Sequence, residues 1–87
     1  MTTIWKFGLL TVNEQAIDMP AGAEVLCVQT QDDSPQLWAL VDPKAPRIPR
    51  KFRIFGTGDP SVSGTYVGTY QLLGGKLVFH VFEGPWA

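Results

Sequence analysis

Eighty-seven residues are enough for one domain and too few for two, so residues 1–87 read as a single domain. One cysteine, Cys27, excludes an intrachain disulfide, and one histidine, His80, leaves a structural zinc site short of ligands. A net charge of −1 argues against a general nucleic-acid binder, whose affinity comes largely from phosphate contacts, and no run of about 18 apolar residues is present to span a membrane.

Prolines and glycines punctuate the chain about every ten residues, the rhythm of short strands and turns. Between them, β-branched and aromatic residues alternate. Thr3 to Leu10 (TIWKFGLL) begins the set, and Gln15 to Met19 is a short second strand. The nearest thing to a helix is one turn around Val12–Ala16. Residues 23–31 (AEVLCVQTQ) form a third strand, with Val25 and Cys27 on one face and Leu26 and Val28 on the other. The turn Asp32-Asp33-Ser34-Pro35 leads to a fourth strand, 36–42 (QLWALVD), and a proline-rich loop, 43–49, follows. Residues 50–56 (RKFRIFG) set Phe52 and Ile54 against Lys51, Arg53 and Phe55. Residues 65–72 (TYVGTYQL) place Tyr66, Gly68, Tyr70 and Leu72 on one face, and residues 76–83 (KLVFHVFE) oppose Leu77, Phe79 and Val81 to Val78, His80 and Phe82. Leu73-Gly74-Gly75 between the last two is a hairpin signal, because glycine accepts the positive φ of a tight turn. Seven short strands in mainly antiparallel order predict an all-β fold, a small sandwich or a partly open barrel.

Five of the seven Lys and Arg residues lie between 44 and 53: Lys44, Arg47, Arg50, Lys51 and Arg53. Arginine forks match phosphate oxygens at two points, so Arg50, Lys51 and Arg53 are candidate anion ligands. Equally, Lys, Arg and Pro are how a solvated sheet edge discourages pairing. Gly56-Thr57-Gly58 follows directly, and its backbone N–H groups are able to cradle an anion. It lacks the third glycine of a dinucleotide fingerprint and the Gly-Lys-Ser/Thr of a P-loop, so a plain turn is its simpler reading. Tyr66 and Tyr70, flanking Gly68, frame a slot in which a planar ring can stack, or else pack in the core. The tryptophans Trp5, Trp38 and Trp86 read as core or interface anchors, with Trp86 placed for burial by a partner subunit. His80 has no Ser, Cys or carboxylate obviously beside it and reads as a satisfied structural histidine rather than a general base. Cys27 resembles a small buried hydrophobe. Asp32 and Asp33 read as turn residues rather than paired catalytic carboxylates.

The chain as a whole resembles an uncharacterised family of short proteins from phages and bacterial genomes that carries a domain-of-unknown-function label. The resembling blocks are Ile4-Trp5-Lys6, Ile17-Asp18-Met19-Pro20 with Gly22-Ala23, Val28-Gln29 to Gln31, Leu37-Trp38-Ala39-Leu40-Val41-Asp42-Pro43, Phe52-Arg53-Ile54-Phe55-Gly56-Thr57-Gly58, and Gly68-Thr69 through Gly74 to Val78-Phe79-His80-Val81-Phe82-Glu83. The chain departs from the pattern after Glu83, with Gly84-Pro85-Trp86-Ala87. The resemblance implies a phage or prophage setting. Compact phage proteins of this size often act by binding, either occluding a host enzyme or sequestering a nucleotide signal made by a host defence system.

With 45% hydrophobic, 11% aromatic and 17% charged residues, the chain carries more apolar surface than so small a core can absorb, and a homo-oligomer is expected. No apolar leader opens the sequence, so no signal peptide is read, and the lone cysteine fits a reduced, cytoplasmic location. The leading expectation is a non-enzymatic, cofactor-free and metal-free binding protein. It would hold a phosphate-bearing, nucleotide-derived molecule at a homo-oligomer interface. Arg50, Lys51 and Arg53 would contact phosphate, Gly56, Thr57 and Gly58 would donate N–H groups, and Tyr66 or Tyr70 would stack on the base. The alternative is an accessory protein or inhibitor acting through contact with a host or virion protein. A third reading, an enzyme, would use His80 as base.

Overall fold

The structure is a computed structural model that describes residues 1–86. Seven strands occupy it: β1 (Thr3–Gly8), β2 (Glu14–Pro20), β3 (Glu24–Gln31), β4 (Ser34–Val41), β5 (Arg47–Gly56), β6 (Thr65–Leu72) and β7 (Leu77–Glu83). Among the described residues there is no helix, and Val12–Ala16 ends in strand β2. Strands β1-β4-β3 form sheet A and β2-β5-β7-β6 form sheet B, every pair antiparallel. Of the two expected architectures the sandwich is the one formed.

The alternation of the sequence decides what each sheet buries. Sheet A turns Leu37, Ala39, Val41 and Val28 inward, with Trp5, Phe7 and Val25 packed around them. Sheet B turns Met19, Phe52, Ile54, Tyr70 and Val81 inward, with Ile17, Leu72 and Phe79 around them. Phe52, Met19, Leu37, Val41 and Val81 are fully buried. Each such side chain contributes about 1.5–3 kcal/mol of transfer free energy. Tyr70 is buried too, and its hydroxyl shares a 2.8 Å hydrogen bond with Thr11 Oγ1.

Four local features differ from the sequence reading. The β3–β4 turn is two residues, not four: Asp32 and Asp33 have φ of 52° and 60°, and both strands run up to them. Paired positive φ values match the right-handed strand twist, as in a type I′ hairpin. Pro35 therefore lies inside β4 and is buried. Strand β5 starts at Arg47, within the stretch expected to be loop. Its β7 side is paired only from Phe52 onward, so Pro49, which has no N–H, forfeits no ladder bond there.

The other two differences are β-bulges, each adding one residue to a strand and so switching which face later residues take. The bulge at Val25/Cys27 puts Val25 and Val28 in the core, while Cys27 faces outward, half-buried beside Trp38. The bulge at Tyr66/Gly68 turns Gly68, Tyr70 and Leu72 inward and leaves Tyr66 outside. Tyr66 and Tyr70 thus do not frame a slot. Gly68 is needed at this point, since a Cβ there would lie 3.0 Å from Cβ of Val28, where β6 packs on β3.

Candidate functional site

The outer face of sheet B brings together residues from four strands. Pairing sets Glu14, Arg53, Phe82 and Tyr66 in one row across β2, β5, β7 and β6. Phe55, His80 and Thr69 form the next row. The three rings pack edge to face, Phe55 on Phe82 and Tyr66 on Phe82, each with centroids 5.6 Å apart. Above them the chain leaves β5 through Gly56, Thr57, Gly58 and Asp59. The turn is closed by a 3.1 Å bond from Asp59 N to Gly56 O and a 2.7 Å bond from Gly56 N to Asp59 Oδ2. Gly58, at φ +94°, supplies the left-handed residue this turn needs.

Turn and rings line an open surface cavity of about 220 Å³. Phe55, Tyr66, Phe82 and Val62 supply its apolar wall, and Gly56, Thr57, Gly58, Asp59 and His80 its polar part. A hydrogen-bonded chain crosses it. Thr57 Oγ1 meets His80 Nε2 at 2.8 Å, His80 Nδ1 meets Thr69 Oγ1 at 3.0 Å, and Thr69 Oγ1 meets the Tyr66 hydroxyl at 2.7 Å. Both ring nitrogens of His80 are thus engaged with hydroxyl groups. Asp59 is the only carboxylate in the wall, and no Lys or Arg lines it.

The basic cluster is divided by the fold. Arg50 lies at the rim of the inner face, where Nε and Nη2 grip Glu83 at 2.6 and 2.9 Å and Nη1 donates to Ala23 O. The hydrogen bonds and charge of Glu83 outweigh burial and raise the Arg50 pKa, so its cation is committed to that pair. Arg47 stacks over Trp5 at 5.3 Å. Lys44 is exposed in the loop where its N–H bonds Asp42 Oδ1. Lys51 and Arg53 alone reach the outer face of sheet B. Arg53 pairs with Glu14 at 3.1 Å and lies 4.3 Å above the Trp86 ring. Trp86 also donates from Nε1 to Ser63 Oγ, so this tryptophan is packed by its own chain. Lys51 is exposed, with no ion pair among the described residues.

Gly56, Thr57, Gly58 and Tyr66 therefore converge on one cavity, and Arg53 stands in the row of its Phe82 and Tyr66 walls. Lys51, one row further along β5, lines a separate hollow with Trp86, and Arg50 and Tyr70 point elsewhere. The sequence reading missed Phe55, Phe82 and Asp59 as walls and gave His80 no neighbours. The alternation in 79–83 already set His80 and Phe82 on one face, which was the available signal. Among the described residues, no group of three His, Cys, Asp or Glu side chains is placed to hold a metal ion.

The profile of a domain of unknown function, DUF7352, matches residues 1–86. The chain belongs to that family. The match runs through Trp86, so Gly84-Pro85-Trp86, which the sequence reading set outside the pattern, lies within the DUF7352 span. No curated protein and no solved structure matches the chain. Among the described residues no helix is long and apolar enough to cross a membrane.

Proposed function

We propose that this DUF7352 protein is a non-enzymatic binding protein that captures a phosphate-bearing, nucleotide-derived small molecule. The base enters the cavity between the 56–59 turn and the rings of Tyr66 and Phe82. The phosphate lies outside it, toward the unpaired N–H groups of Arg53, with Lys51 one row further along β5. The observation that carries the reading is the meeting of a glycine turn and three aromatic rings, from three strands, at one open cavity of about 220 Å³. Tyr66, 57% exposed, offers a face on which a base stacks. Backbone N–H groups of Thr57 and Gly58 are on hand, whereas that of Gly56 is already given to Asp59. The arrangement holds a ligand without attacking it, which suits sequestration. In the phage setting implied by the sequence resemblance, such capture blunts a host defence signal.

The test is calorimetric titration with a panel of linear and cyclic nucleotides. Stacking on an aromatic is worth about 1–3 kcal/mol, so Tyr66→Ala weakens binding by about 5- to 150-fold. Lys51→Glu weakens it further and flattens its salt dependence. A panel without a single binder, or a binder indifferent to Tyr66→Ala, refutes the proposal.

A further inference from the structure

The outer face of sheet B carries a second hollow beside the cavity already described. Its volume is about 350 Å³, and Pro49, Lys51, Pro85 and Trp86 line it together with the Arg50–Glu83 pair. Pro49, Lys51, Arg53 and Phe55 are alternate residues of β5, so they share its outward side in that order. Arg53 therefore stands between two aromatic groups. The Trp86 ring lies 4.3 Å from its guanidinium, and Phe82 and Tyr66 continue its row across β7 and β6. Trp86 is fixed in place. Its Nε1 donates to Ser63 Oγ at 3.0 Å, and a Cβ on Gly64 or Gly84 would come within 2.7 or 2.6 Å of the ring, so both glycines make room for it. The ring stays half-buried, with part of its surface in the second hollow.

We propose that the second hollow is a stacking site for a second base, and that the ligand is two nucleosides joined by one phosphodiester. The inference rests on the nucleotide reading of the first cavity and extends it. Rings on the open face of a four-stranded sheet are a recurring platform for two or three bases, and every base has a π-face for a ring such as Trp86 to meet. Lys51 and Phe55 are two outward steps apart on β5, about 14 Å, whereas stacked bases are about 3.4 Å apart. The two bases are thus held splayed. One lies on Trp86 in the hollow with Pro49 and Pro85, the other against Tyr66 and Phe82, and the phosphodiester passes between them over Arg53. Glu14 takes Arg53 Nε, which leaves the Nη groups to the phosphate, and Lys51 is in no ion pair among the described residues. Charge selects the linkage. Glu14 and Asp18 stand on β2 opposite Arg53 and Pro49, in rows of this same face. A diester brings one negative charge to these carboxylates and a terminal phosphate nearly two, so the bridged ligand is the better tolerated.

Calorimetric titration with linear dinucleoside monophosphates and with their component 5′-mononucleotides is the test. The best dinucleoside monophosphate binds at least about tenfold more tightly than either of its mononucleotides. Trp86→Leu removes the second platform and brings that ratio below about threefold. Pro49→Glu, at an exposed position outside the Trp86 seat, does the same by putting a carboxylate in the hollow. Tyr66→Ala weakens both sets of ligands. Where Trp86→Leu abolishes all binding, Pro49→Glu decides between a lost fold and a lost second site. Dinucleoside monophosphates that bind no more tightly than mononucleotides, or whose advantage survives either substitution, overturn this inference and leave the reading of the first cavity standing. If neither set of ligands binds, both fall.

Discussion

Arg50→Ala should be the most damaging change to a charged residue. Arg50 joins the start of β5 to the end of β7 through Glu83 and to the segment before β3 through Ala23 O. Both side chains are about four-fifths buried, at 19% and 21% exposure. Exposed ion pairs contribute about 0–1 kcal/mol, whereas removing one partner of a fully buried pair costs about 3–5 kcal/mol. A two-point pair with this exposure falls between, at about 2–3 kcal/mol, including roughly 1 kcal/mol for the carbonyl of Ala23 left without its donor. Glu83→Ala should cost about as much, and the double variant less than the sum, with a coupling of about 1–2 kcal/mol. Urea unfolding at one fixed protein concentration measures this. With m near 1 kcal/mol/M for a chain this short, the Arg50→Ala midpoint falls by about 2 M. A loss below about 0.5 kcal/mol with additive single variants would mean that water already screens the pair, and the reasoning fails.

Other expectations follow from the same geometry. Gly68→Ala forces a Cβ to 3.0 Å from Val28 and should destabilise by about 1–3 kcal/mol in urea titration. Asp33→Gly, at φ 60° in the two-residue turn, should instead stabilise by about 0.5–1 kcal/mol, read as a rise in melting temperature. Burial raises the Tyr70 pKa, against the opposing hydrogen bond from Thr11, so the folded state holds that proton more tightly than the unfolded chain. Its contribution is complete below about pH 10 and is lost as pH rises through the folded value. Tyr70→Phe should therefore show a shallower alkaline loss of stability in urea titrations at increasing pH, while losing about 1 kcal/mol at neutral pH for the missing hydrogen bond.

Alternation alone was enough to find the strands, because a strand's period of two is written into stretches such as Phe52-Arg53-Ile54 and Phe79-His80-Val81. The β6–β7 hairpin was legible in Gly74-Gly75. A bulge leaves no mark on that period, however, and this is why Tyr66 and Tyr70 were put on one face and Cys27 beside Val25. The outward placing of Lys51 and Arg53 followed from spacing. The loss of Arg50 to Glu83 did not, since it depends on two residues 33 apart in sequence meeting across β5 and β7. The cavity was half legible for the same reason. Its glycine turn is contiguous, whereas Phe55, Phe82 and Tyr66 become neighbours only through strand pairing.

The sheet order also sets a sequence of events. Only β3–β4 and β6–β7 are neighbours both along the chain and in a sheet, and they belong to different sheets. Hairpins close in microseconds, but β1 must find β4 and β2 must find β5 across two intervening strands each, which slows folding of such topologies to milliseconds or seconds. Until then one side of β4 and one side of β5 are bare templates. A nascent or partly melted chain is thus most exposed to strand exchange with another molecule at its own first twenty residues.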